Sequence, residues 1–90
     1  METHPGIVRV LEARHLGGHR VWLRFSDGLS GEADLAEEIV GEVFEPLRDV
    51  AYFGGFRLGV GASLSWPNGA DFAPEFLRDM VARSASRAGV

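Results

Sequence analysis

The amino-acid sequence predicts an α+β domain built on one small, mainly antiparallel sheet of about five strands. Apolar residues alternate along five short segments, glycine-containing turns separate these segments, and a helical apolar period occurs only near the end of the chain. The expected order is a β-meander, a short helix, a β-hairpin and a C-terminal helix. From the length of 90 residues we expect a single domain over 1–90, ordered from about residue 7 to about residue 83 and frayed at both ends.

The first third of the chain predicts a three-stranded meander. Residues 7–14 and 19–26 are rich in β-branched and aromatic residues, and a glycine pair in the gap between them indicates a hairpin. Apolar side chains alternate along the second of these segments, so Trp22 and Arg24 fall on the face away from the core. An Asp-Gly turn then leads to a third alternating strand over residues 29–35.

The rest of the chain predicts a short helix, a hairpin and a longer helix. Pro46 follows an acidic residue and suits the first position of a helix of one or two turns. Residues 56–60 and 62–66 alternate again and indicate a second hairpin. Apolar residues recur at helical spacing from Phe76 to Val81, which predicts an amphipathic helix packed on the sheet.

The run from Trp66 to Pro74 restricts the backbone at several places. Asn68 with the glycine after it favours a tight turn, Asp71 can cap a helix, and Pro74 suits a first helical turn. These roles explain the run as the joint between the last strand and the helix. The alternative is that Asn68, Asp71 and the rim of Trp66 form a polar binding site on a rigid scaffold.

The composition disfavours several classes of function. The chain has no cysteine, which removes disulfides, thiolate zinc sites and iron–sulfur clusters, and it carries no nucleophile motif or phosphate-binding glycine loop. The formal charge of −4 disfavours a free-standing nucleic-acid binder; binding through Arg9, Arg24 and Arg57 would require these arginines to line one sheet face. Neither a signal sequence nor a membrane-spanning apolar run is recognisable, so we expect a cytoplasmic protein.

Two pairs of titratable residues could carry chemistry. His15 and His19 flank a turn and could share a metal ion only with a further ligand, such as a carboxylate or His4, so exposed turn histidines are the favoured interpretation. Glu32 and Asp34 lie on one strand face about 7 Å apart, a spacing that suits acid–base catalysis or a hard cation. A solvated strand face is the simpler interpretation, and we expect neither a metal nor a cofactor.

Four blocks of residues occur in an order and spacing that resemble a known family. The blocks are Phe25-Ser26-Asp27-Gly28, Gly31-Glu32-Ala33-Asp34-Leu35, Val43-Phe44-Glu45-Pro46-Leu47-Arg48-Asp49 and Trp66-Pro67-Asn68-Gly69-Ala70-Asp71. Over roughly residues 7–80 the chain resembles the small bacterial family catalogued as domain of unknown function 2442. The resemblance implies a compact α+β domain, often encoded beside another small protein, and it implies no established activity.

The leading functional hypothesis is a non-enzymatic protein-interaction module of a bacterial two-protein system, with an antitoxin-like role. Its partner is expected to be another small bacterial protein or a second copy of the chain, without membrane or nucleic acid. The candidate surface consists of Trp22, Arg24, Asp34, Trp66, Asn68 and Asp71. An exposed Trp-Arg pair has the composition of an interface hot spot, unless a helix covers that face.

The alternative hypothesis is a small acid–base enzyme or ligand-binding domain that uses Glu32, Asp34, Asn68 and Asp71. It requires the third strand and the loop at 68–71 to converge on one pocket, because acid–base groups must reach the same reacting atoms.

Overall fold

In a computed structural model, the described residues 8–59 and 63–88 form an α+β domain whose first half is a three-stranded antiparallel meander. Its strands are β1 (Val10–Gly17), β2 (Arg20–Phe25) and β3 (Ser30–Asp34), paired in the order β1-β2-β3. The alternation along β2 has the predicted consequence, since its apolar side chains are buried and the residues between them face away from the core.

The connection after the meander differs from the prediction of a single short helix starting at Pro46. The chain forms 3₁₀ helices over Ala36–Glu38 and Glu42–Arg48, followed by α1 (Val50–Phe53). Pro46 lies inside the second 3₁₀ helix. The start of α1 is set by Asp49 instead, because its carboxylate accepts a hydrogen bond from the Ala51 N–H at 3.2 Å and so satisfies a free helix donor.

The second half of the chain forms a separate three-stranded sheet, so the prediction of one sheet of about five strands was wrong. Its strands are β4 (Arg57–Leu58), β5 (Leu64–Ser65) and β6 (Asp71–Phe72), antiparallel in the order β4-β5-β6. The predicted second hairpin corresponds to β4 and β5, and its connection at 60–62 lies outside the described residues. Residues 71–72 lie between a turn signal and a helix-start signal, without the longer alternating segments that surround β4 and β5, so β6 has no sequence signal.

The C-terminal helix α2 (Pro74–Ala88) begins at the predicted proline, but the predicted cap was wrong. Asp71 pairs with Ser65 in the second sheet instead. The first helical hydrogen bond runs from the Leu77 N–H to the Ala73 carbonyl at 3.1 Å, so Ala73 occupies the capping position. Asp71 is two residues too early in the chain to take that position.

The two sheets share one hydrophobic core, and an aromatic cluster forms and borders part of that core. It consists of Phe44, Phe53, Phe56, Trp66, Phe72 and Phe76. The helix α2 packs on the inner face of the first sheet, where a β-carbon added to Gly31 would lie 2.9 Å from Val81 Cγ1. None of the described helices is long and apolar enough to cross a membrane.

Candidate functional site

The face of the first sheet that points away from the core carries a tryptophan among charged side chains. We call it the outer face, and it consists of Glu12, Arg14, Arg20, Trp22, Arg24, Ser30, Glu32 and Asp34. These side chains are exposed, except that Glu12 and Trp22 are half-buried. The helix α2 contacts the opposite face through Val81, so this helix does not cover Trp22.

Trp22 lies at the centre of the outer face between residues of opposite charge. On β1 its partner is Arg14, and on β3 its partner is Glu32. The Arg14 guanidinium carbon lies 5.6 Å from the centre of the indole ring, within the range of a cation–π interaction. The aromatic ring and its arginine are therefore held together before any partner binds.

A glutamate holds both flanking arginines in place. The Glu12 carboxylate accepts a hydrogen bond from Arg14 Nε at 2.8 Å and another from Arg24 Nε at 3.3 Å. The Arg14 hydrogen bond, followed by that of Arg24, lowers the pKa of Glu12 below its ordinary value. At neutral pH the carboxylate is charged and restrains both guanidinium groups beside the ring.

Trp66, the other candidate tryptophan, lies in the core. Only 3% of its surface is exposed, and its indole N–H donates to the Phe53 carbonyl at 2.8 Å. The rings of Phe53, Phe72 and Phe56 lie 5.5, 5.8 and 6.2 Å from it, centre to centre. Trp66 therefore stabilises the joint between strand and helix and does not belong to the surface.

The Asn68 side chain stabilises the turn that follows Trp66 through hydrogen bonds. Its amide nitrogen donates to the Val43 carbonyl at 2.7 Å, and its amide oxygen accepts from the Ala70 N–H at 3.1 Å. Its backbone N–H donates to the Tyr52 hydroxyl at 3.2 Å. These bonds connect the turn to the 3₁₀ helix and to α1, which is a scaffold role.

The four residues of the acid–base hypothesis belong to two different sheets. Glu32 and Asp34 lie on β3, whereas Asp71 lies on β6 and Asn68 in the turn before it. Asp34 accepts a hydrogen bond from the Ala36 N–H at 3.0 Å and borders a groove of about 430 Å³ beside α2. That groove is lined by Ala33, Asp34, Ala36, Glu37, Glu38, Met80, Arg83 and Ser84, with no contribution from the loop at 68–71.

The sequence contained no signal for the role of the two histidines. His15 and His19 pack edge-on against Phe53, with ring centres 5.6 and 4.8 Å away. His15 Nε2 lies 2.9 Å from the Gly18 carbonyl and His19 Nε2 lies 2.7 Å from the Leu47 carbonyl. They tie the turn between β1 and β2 to the aromatic cluster, a long-range contact that local periodicity does not encode.

Fold and outer face together define a small α+β domain with a partly buried aromatic cluster and an exposed sheet face that carries tryptophan among mixed charges. The chain belongs to the family described as "Protein of unknown function (DUF2442)", whose model matches residues 10–81. This match confirms the family that the four blocks of the sequence resemble. No curated protein and no solved structure matches the chain.

Proposed function

We propose that the chain is a non-enzymatic protein-interaction module and that it binds its partner through the outer face. The observation that carries this proposal is the position of Trp22 at the centre of that face, with Arg14 held 5.6 Å from its ring. The helix α2 packs on β3 at the opposite, inner face of the same sheet, so the side chains around Trp22 stay available to a partner.

The chemistry of the outer face suits a protein partner. Tryptophan and arginine are enriched at the centres of interfaces, where a large ring gains contact area at a small cost in side-chain entropy. Glu12 already restrains Arg14 and Arg24, so binding does not have to order them. The opposite charges around Trp22 can form the polar rim that orients a partner.

The family supplies the expected identity of the partner. The resemblance to this family implies a gene often encoded beside another small protein, and we propose that this neighbour is the partner, in a bacterial two-protein system located in the cytoplasm. The module would then act in an antitoxin-like way, by covering a surface of its neighbour. The support here is the resemblance and the exposed outer face.

Co-expression of the chain with the neighbouring reading frame, followed by affinity purification and calorimetry, tests the proposal. We expect a stoichiometric complex, and we expect Trp22→Ala to weaken it by about 2 kcal/mol or more, which is roughly thirtyfold in Kd. Leu58→Ala removes another exposed apolar side chain, from β4, and should change Kd by less than about threefold.

Absence of a complex between folded proteins would overturn the proposed function. If a complex forms and the Trp22→Ala and Leu58→Ala variants bind equally well, the proposed partner is correct but the outer face is not the binding surface. Circular dichroism of each variant separates these outcomes from misfolding.

A further inference from the structure

Among the residues that the structure describes, β1 is the outermost strand of the first sheet, and no second strand pairs with its other edge. Within residues 8–59 and 63–88, β2 is the one strand that pairs with it. At eight residues β1 is longer than the other strands described, and it contains no proline, a residue that commonly protects edges. Its unpaired backbone N–H and C=O groups can therefore accept another strand.

The charges of β1 are self-complementary about Ala13. The strand pairs regularly with β2 from Glu12 to His15, with irregularities on either side. Within this segment Glu12 and Arg14 lie on the outer face and Ala13 lies between them on the inner face. A two-fold axis at Ala13 would place Glu12 of each copy directly opposite Arg14 of the other, because opposed residues of antiparallel strands share a face.

We propose that β1 pairs with β1 of a second copy, antiparallel and with Ala13 opposite Ala13, which would join two three-stranded sheets into one of six strands. Neighbouring registers are less favourable because they place Glu12 opposite Glu12 or Arg14 opposite Arg14, and like charges directly opposite each other are destabilising. A two-fold contact is closed and self-limiting, so the product is a dimer and not a fibre.

Apolar surface at both ends of the paired segment supports the same arrangement. Leu11 and Leu16 flank the segment and are 46% and 40% exposed. Pairing of the two strands would bring a second backbone beside both leucines. The pairing uses the strand edge together with Glu12 and Arg14 of the outer face and leaves Trp22 uncovered. Self-association and binding of a different protein are measured separately, so either proposal can fail without the other.

Sedimentation of the full chain from about 1 µM to about 1 mM tests the pairing. We expect a monomer–dimer equilibrium, in which Glu12→Arg and Arg14→Glu each raise Kd by about tenfold or more, because two attractive pairs become repulsive. An equimolar mixture of the two variants should restore dimers, since the charges are then opposite again. Arg83→Glu reverses a charge on α2, where Arg83 pairs with Asp79, and should leave Kd unchanged.

A second variant keeps the test informative if the charge reversals destabilise the fold. Ala13→Cys introduces the only thiol of the chain, and directly opposed β-carbons of a non-hydrogen-bonded pair approach the distance that a disulfide needs. Air oxidation should give a covalent dimer of this variant, while Ala51→Cys on the exposed side of α1 should stay monomeric. A wild-type chain that remains monomeric at every concentration, or equal cross-linking of the two variants, would overturn the proposal.

Discussion

The outer face of the first sheet and the aromatic cluster each contain one tryptophan, Trp22 and Trp66, and the two side chains lie in opposite environments. Trp22 lies on the outer face of the first sheet, half-buried, with its ring under the Arg14 guanidinium. Trp66 is enclosed by phenylalanine rings, and its indole N–H is bonded to a backbone carbonyl. An indole can be fully buried only where its N–H finds an acceptor. The comparison therefore separates a tryptophan that holds the fold together from one that is available for contact.

Replacing each tryptophan by alanine should give the largest contrast. Trp66→Ala leaves a cavity inside the aromatic cluster and an unpaired Phe53 carbonyl, so we expect a loss of about 3–5 kcal/mol in the free energy of unfolding. Trp22→Ala should cost less than about 1 kcal/mol, since the outer face stays solvated after the change. Urea unfolding of both variants measures the difference, and equal losses would contradict the assignment of roles.

Substitution on the inner face of the first sheet should lower the free energy of unfolding nearly as much as substitution in the aromatic cluster. Gly31→Ala directs a methyl group to within 2.9 Å of Val81 Cγ1, a stiff side chain that is fully buried. We expect a loss of about 1–3 kcal/mol from overpacking between β3 and α2. The double variant Gly31→Ala/Val81→Ala should lose less than the sum of the two single losses. Additive losses would show that the methyl group and Val81 do not meet.

Substitutions in the turn after Trp66 should change the free energy of unfolding by an intermediate amount. Asn68→Ala removes the hydrogen bonds to Val43 and Ala70, which should lower the free energy of unfolding by about 1–2 kcal/mol. Asp71→Asn keeps the shape of an exposed side chain and should stay within about 0.5 kcal/mol of wild type. If Asp71→Asn abolished partner binding at full stability, the loop would be part of the site rather than scaffold.

The smallest effect concerns an ion pair that connects the turn after β2 to α2. Arg78 Nε donates to the Asp27 carboxylate at 2.6 Å, and this hydrogen bond holds the pKa of Asp27 below its ordinary value. Because the folded pKa is lower than the unfolded one, the pair stabilises the fold above the unfolded pKa of about 3.9. This contribution is lost as the pH falls through the lower folded pKa.

Both partners are partly exposed, so we expect Asp27→Asn to cost less than about 1 kcal/mol at pH 6 and to cost progressively less below about pH 4. Unfolding of wild type and variant at both pH values gives the difference. The double variant Asp27→Asn/Arg78→Gln should lose no more than either single variant. A cost that persisted unchanged at low pH would contradict the role of the charged carboxylate.

Local patterns were sufficient for the first sheet and for the start of α2. The alternation along β2 correctly assigned Trp22 to the face away from the core, and Pro74 correctly located the beginning of the helix. The same kind of reasoning failed at Pro46 and at Asp71. A proline is also tolerated inside a 3₁₀ helix, and an aspartate near a helix start can belong to a strand instead of capping the helix. What decided between these positions was Asp49, which caps α1, and the pairing of Asp71 with Ser65.

The sequence by itself determined the elements that have local signals, namely the meander, the second hairpin and the amphipathic helix. It also determined the face on which Trp22 lies and the family to which the chain belongs. Only the tertiary structure decided that there are two sheets and that Trp66 is buried among phenylalanine rings. It also decided that His15 and His19, from a turn distant in the sequence, pack against Phe53. The physical reason is range. Alternation and capping act over a few neighbouring residues, whereas aromatic packing joins side chains far apart in the chain and follows from how the elements meet.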